Sequence, residues 1–260
     1  MKWSLAYDFP SIDAVVSNPS TESTPDGLAE NCVVPSNTGL GMTWLGEAGV
    51  PGKSCDFAVS CSANFVVVVG ANYSDAATVR FYRDVTSRQY LRHSLLVTLT
   101  RCSPANIWAG TFATTSFGAW SYAVSDTGAP AGGLETPLIL FGRRVDIAGA
   151  TVGRPARGYT YADPSTRVGG QTGAIWTAKQ RRQFRQAFSV IGQDRTEGVA
   201  DLRAMWGDAG RSALVASFLD ADDLGGYGNT NVGVIETDII EAIALGMTTG
   251  FDVSIMEAVA

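Results

Sequence analysis

The run Phe65-Val66-Val67-Val68-Val69, closed by Gly70, constrains this chain more than any other stretch. A strand with one wet face would interrupt such a run with polar side chains, so five consecutive apolar residues call for a strand buried on both faces, at the centre of a first core. The β-signal repeats around it. Val79 and Phe81 alternate with Arg80 and Tyr82, which predicts a strand with one covered face and one wetter face. Leu95 to Thr100 and Leu138 to Phe141 add further strands. Trp108, Phe112, Phe117, Trp120 and Tyr122 fall among Gly, Ala, Thr and Ser, a composition that suits antiparallel sheet and forms helix poorly. The first fifty residues, rich in Ser, Thr, Asn, Pro and Gly, read as loops joining short strands.

A chain of 260 residues can form one large β-domain or two of ordinary size, and either buries a core without staples. Two are expected here. Gly153-Arg154-Pro155-Ala156-Arg157-Gly158 breaks regular pairing, which divides the chain into residues 1–153 and 154–260. In the second part, Phe184, Phe188 and Val190 share one face of a strand while Arg181, Arg185 and Ser189 take the other. Val199, Leu202, Met205 and Trp206 then form one stripe of an amphipathic helix, with Asp194 and Glu197 spaced as a capping box and Gly207 or Gly210 able to end it. Ala213 to Leu219 reads as a strand ended by the acidic loop Asp220-Ala221-Asp222-Asp223. The β-branched content of Ile235 to Leu245 favours strand over helix, and Phe251 to Ile255 alternates as a half-buried last strand.

Catalytic chemistry is scarce in these residues. His93 is the only histidine, so a His-based metal cluster is excluded and a Ser-His-Asp triad would have to use it; no nucleophile elbow is present. Cys32, Cys55, Cys61 and Cys102 sit among apolar or small residues at spacings that fit neither a zinc knuckle nor a redox pair, and are expected as buried or partly buried thiols. Gly225-Gly226-Tyr227-Gly228 lacks the Lys-Ser/Thr ending of a phosphate loop and reads as a turn. Asp220, Asp222 and Asp223 miss the EF-hand spacing, so a solvated loop, or one paired with arginines of a neighbouring subunit, is expected rather than a calcium site. Nothing selects Glu47, Asp56 or Asp84 as a glycosidase pair. No catalytic, cofactor or metal residue is therefore assigned, and no enzyme is expected.

The surface is short of charge. Charged residues make up 17% of the chain against about 25% in an ordinary domain, which suggests surface covered by partners. A net charge of −6 argues against nucleic acid as the main partner. The short apolar run Trp3 to Tyr7 is neither a signal peptide nor a membrane span, so synthesis in the cytoplasm is expected.

The residues also carry a family likeness. Asn18-Pro19-Ser20, the strand Phe65 to Val69 with Asn72 and Ala77-Thr78-Val79-Arg80, and Leu140-Phe141-Gly142 resemble the galactose-binding-like, discoidin-type jelly-roll half of minor tail and distal-tail proteins of long-tailed bacteriophages. Arg157-Gly158-Tyr159, Asp163-Pro164-Ser165, Gly169-Gly170-Gln171, the Arg181-Arg182-Gln183-Phe184 strand, the helix and the acidic loop resemble the second domain of the same proteins. The resemblance implies a mainly β chain: an N-terminal jelly-roll-like β-sandwich, then a tail-tube-like β-domain carrying one α-helix. It implies a structural protein of the virion tail tip or baseplate, a homo-oligomer in a ring or trimer that joins tube, hub or fibre. Arg181, Arg182, Arg185, Asp220, Asp222 and Asp223 are the expected subunit or partner contacts, Arg being favoured at interfaces for its planar, multi-donor head. The alternative is a carbohydrate- or receptor-binding protein acting in host adsorption, with Trp108 and Trp120 stacking on a host surface glycan.

Overall fold

The computed structural model describes residues 3–20, 22, 27–34, 43–87, 90–103, 107–146, 151–162, 181–191, 214–235, 241–244 and 247–257. The first part of the chain runs β1 (Ser4–Ala6), a 3₁₀ turn (Pro10–Asp13), β2 (Val15–Ser17), a second 3₁₀ turn (Ala29–Val33), β3 (Trp44–Leu45), β4 (Gly52–Val69), β5 (Thr78–Ser87) and β6 (Tyr90–Thr98). It continues through β7 (Thr100–Cys102), β8 (Ile107–Ser125), β9 (Glu135–Thr136), β10 (Leu138–Gly142) and β11 (Val145–Asp146). The later strands are β12 (Thr151–Ala162), β13 (Arg181–Ile191), β14 (Leu214–Phe218), β15 (Thr230–Ile235), β16 (Glu241–Ala244) and β17 (Met247–Glu257). The protein is mainly β sandwich, and the two 3₁₀ turns are the only helical elements among the described residues.

Among the described residues every strand pairing is antiparallel. A seven-stranded sheet has the order β10-β4-β8-β5-β6, with β2 beside β4 and β7 beside β8. An eight-stranded sheet has the order β11-β1-β14-β15-β17-β13-β12, with β16 beside β17. Among the described residues there is also a two-stranded ribbon, β3-β9.

The Phe65–Val69 run explains how these layers stack. Its five residues are all buried. Phe65, Val67 and Val69, with Ile107, Ala109, Leu138 and Leu140, pack toward Ala6, Ala216, Phe218 and Val232 of the eight-stranded sheet. Phe65 meets Phe218 edge to face with ring centroids 5.6 Å apart. Val66 and Val68 point the other way, into a core shared with Ile139, Phe141, Trp108, Trp120 and Tyr122 and closed by Cys32, Val33, Trp44 and Leu134. The seven-stranded sheet is thus the middle of three layers at this end. Each fully buried Val or Phe here contributes about 1.5–3 kcal/mol of transfer free energy, so the double-faced run is the strongest anchor of the fold.

The division at 153/154 falls inside β12, at the register shift between Gly153 and Ala156, where Pro155 has no N–H to give the ladder. The N-terminal strand β1, moreover, is an inner strand of the sheet built by the later part of the chain, between β11 and β14. Trp3 fixes it there: its indole is fully buried and Nε1–H donates to Ser217 Oγ at 3.0 Å. The helix expected from Asp194 to Trp206 lies outside the described residues. A tail-tube module is not shown. Val79 and Phe81 are buried while Arg80 is exposed, as their alternation predicts.

Candidate binding face

Away from the Phe65–Val69 end, the seven-stranded sheet turns one face to the core, and its other face carries half-buried and exposed side chains around a buried Ser121. Pleat alternation sorts the side chains. On β4, Cys55 and Phe57 enter the core, which sends Ser54, Asp56 and Ala58 to the other side; on β8, Trp120 and Tyr122 enter, which sends Ala119, Ser121 and Ala123 out. On β5, core positions Val79 and Phe81 leave Arg80 and Tyr82 facing away.

Register then brings these outer residues into line. Ser17 of β2 lies opposite Asp56, Asp56 opposite Ser121, Ser121 opposite Tyr82, and Tyr82 opposite Leu95 of β6. The row crosses five strands, a span of about 19 Å at about 4.8 Å per strand. A second row, Ser54, Ala123, Arg80 and Thr98, runs beside it. The floor is mostly Ser and Ala, so the larger side chains stand above it. Tyr82 is half-buried, Arg80 is exposed, and Val15 and Leu95 are 66% and 51% exposed.

Asp56 is held at the middle of this face. Its Oδ1 accepts a hydrogen bond from Ser121 Oγ at 2.6 Å, and its Oδ2 accepts one from Asn18 Nδ2 at 2.9 Å. Asn18 reaches it from a left-handed backbone conformation, φ 50°, which Asn tolerates better than most residues. The segment after it is stapled along β4, because Ser20 N–H donates to Ser54 O at 2.9 Å and Ser54 N–H donates to Ser20 Oγ at 2.8 Å. Both carboxylate oxygens keep a second lone pair, and among the described residues no Lys or Arg pairs with them. Such an arrangement is a fixed acceptor with an aromatic ring and a guanidinium on the same surface.

Behind the sheet sits a polar chamber that the sequence did not announce. Lys53 is buried; its Nζ donates to Trp44 O at 2.7 Å and Leu134 O at 2.8 Å and lies 4.2 Å from the Trp44 ring centroid. Burial lowers its amine to about 7, while nearby Cys32, Cys55 and Glu135 pull the other way. Tyr73 OH bonds Tyr122 OH at 2.6 Å and also Thr136 Oγ1, and burial pushes both phenols up. These groups tie the β3-β9 ribbon to the sheet and are shut away from solvent.

The residues expected to carry function are dispersed. Trp108 and Trp120 are 4% and 0% exposed, which corrects their assignment as sugar contacts: a pyranose cannot reach a ring in the core. Trp120 stacks on Phe81 at 5.8 Å and donates its Nε1–H to Val59 O at 3.1 Å. Asp220, Asp222 and Asp223 do form a loop, closed on itself. Asp220 Oδ1 accepts from Asp222 N–H at 3.1 Å, and Asn229 Nδ2 donates to Asp223 O at 2.7 Å. Gly225 to Gly228 complete that loop, which leans on the turn just after β7 through Gly228 N–H to Ser103 O at 2.5 Å. Among the described residues no three metal-binding side chains gather. Arg181, Arg182 and Arg185 lie on β13 opposite Ala162, Tyr161 and Gly158, and their side-chain contacts fall outside the description. The four thiols are free; Cys32, Cys55 and Cys102 are buried and Cys61 is half-buried, and burial pushes Cys61 and Cys102 up to about 11.

Sequence reasoning missed the face itself. Asp56 entered only as one of three unselected carboxylates, Asn18 only within the Asn18-Pro19-Ser20 stretch of the resemblance, and Ser121 not at all. One signal was present, the Val79/Phe81 against Arg80/Tyr82 alternation, which already set Tyr82 on the wetter side.

No family model matches the chain, and no curated protein matches it. Several solved structures do, each over about half of it. One is chitosan-binding module 1 of a chitosanase/glucanase from Paenibacillus sp. IK-5, at 16% identity and a TM-score of 0.43, covering 52% of this chain and 99% of that one. A family 32 carbohydrate-binding module from Streptococcus pneumoniae EndoD gives 13% identity and a TM-score of 0.41, covering 52% and 98%. CpGH89CBM32-5 from Clostridium perfringens, solved with GalNAc-β-1,3-galactose, gives 14% identity and a TM-score of 0.40, covering 52% and 99%. None of these is a tail protein.

Proposed function

We propose that this chain is a non-catalytic carbohydrate-binding β-sandwich that presents the outer face of its seven-stranded sheet to a glycan. The observation that carries the reading is the Asp56 carboxylate, oriented by Ser121 and Asn18 and set in one cross-strand row with Tyr82. Sugars are recognised by a few fixed polar groups beside an aromatic or apolar surface, and a prepaid geometry spares the ligand the cost of ordering the site. The floor of small side chains allows a flat ring to approach, and Arg80 adds donors one row away. A glycan array followed by calorimetric titration tests the reading. Tyr82→Ala is expected to weaken the best ligand by about tenfold or more, in the range of an aromatic anchor. An array without a hit, or full affinity in the variant, would reject it.

A second reading keeps this face for protein. Val15 and Leu95 expose apolar side chains on it, as a surface covered by a neighbour in a symmetric assembly would. On that reading the chain is a structural part of a particle, such as a phage tail tip, and mass photometry of the purified protein would show a closed oligomer. A monomer at micromolar concentration would remove it.

A further inference from the structure

Resting on the carbohydrate-binding reading, we infer that the ligand is an amino sugar with a free amine, whose ammonium group is received by Asp56. The carboxylate has two neutral hydrogen-bond donors, Ser121 Oγ and Asn18 Nδ2, and among the described residues no basic side chain within ion-pair distance. Neutral donors fix the direction of a carboxylate and leave its charge uncompensated. Charge complementarity therefore favours a cation at this point, and a charge-assisted N–H to carboxylate bond is about twice as strong as a neutral one.

The wider field agrees in sign. The chain carries 25 acidic against 19 basic residues, a net charge of −6, so a polycationic glycan is drawn toward the protein while a polyuronate is repelled. The row supplies the rest of the site. Tyr82 lies two strands from Asp56, about 10 Å at the ordinary strand spacing, so an ammonium seated on the carboxylate places the next part of an oligomer over the ring. Arg80, on the neighbouring row, makes no ion pair with Asp56 and would be placed to donate to hydroxyl or ring oxygens. No bond is made or broken in this step; it is recognition only.

Titration of the full chain with a chitosan oligomer and with its fully N-acetylated counterpart tests the inference without altering the protein. The free amine is expected to bind at least tenfold tighter at low salt, with the advantage shrinking as ionic strength rises. Asp56→Asn, nearly the same shape, is expected to bring the two ligands to within about twofold while the melting temperature holds. Equal binding of both oligomers by the unaltered chain would overturn the amino-sugar inference and leave the carbohydrate reading standing. So would a preference for the free amine that survives Asp56→Asn. Binding of neither oligomer, nor of any other glycan, would overturn both.

Discussion

Lys53 shows most clearly how a single residue couples this fold to its solution. Burial lowers its amine to about 7, whereas the unfolded chain restores an ordinary value near 10.4. Between these values the unfolded state holds a proton that the folded state lacks, so stability rises with pH, by at most about 1.4 kcal/mol per unit. Cys61 and Cys102 act in the opposite sense. Their thiols are pushed up to about 11, so above about pH 9 the unfolded chain loses protons first and stability falls. Urea midpoints should therefore climb from pH 7 to about pH 8.5 and turn down beyond pH 9. Lys53→Met should flatten the climb and, by removing the buried donor that Trp44 O and Leu134 O share, cost about 1–3 kcal/mol. A lysine beside Cys55 and Phe57 in alternation was visible in the sequence, but the ribbon that covers it, Trp44 with Leu134, is joined to it by residues far apart in the chain.

At the scale of elements, β4 and β8 set the design. They pair from Gly52–Ser125 to Val69–Ile107, with register shifts at Ala58/Cys61 and Ala63/Phe65. The unbroken Phe65–Val69 run and the alternation of β5 were legible because each is a local pattern with one physical solution. The fate of Trp108 and Trp120 was not. Alternation tells that two residues share a face; which face is covered depends on Phe141, Phe81 and Trp44, brought in from other strands. β8 also explains a glycine. A Cβ on Gly110 would lie 2.8 and 2.9 Å from the two methyl carbons of Val97, so β6 approaches here as only glycine permits. Gly110→Ala should destabilise the protein by about 1–3 kcal/mol in chemical denaturation, the usual cost of overpacking. Gly110→Ala with Val97→Ala should recover most of it.

Among the described residues, the early and late parts of the chain share a sheet and a core. β1 lies between β11 and β14, and Phe65, Val67, Val69, Leu138 and Leu140 need Phe218 and Val232 to cover them. A fragment of residues 1–153 should therefore expose that apolar face, bind a hydrophobic dye and aggregate, although composition alone offered 153/154 as a boundary. The Gly and Pro residues behind that expectation fall at a register shift in β12, a local feature that carries no information on which strands meet across the sheet. The surface poor in charge has a counterpart in the outer face, where Ser and Ala make the floor and Asp56 stands fixed among them. Backbone chemical-shift mapping of the intact protein with a saturating glycan tests this account most directly. The account predicts shifts concentrated at Asp56, Ser121, Tyr82 and Arg80; shifts gathered instead at the Asp220 to Asn229 loop, with that row unmoved, would contradict it.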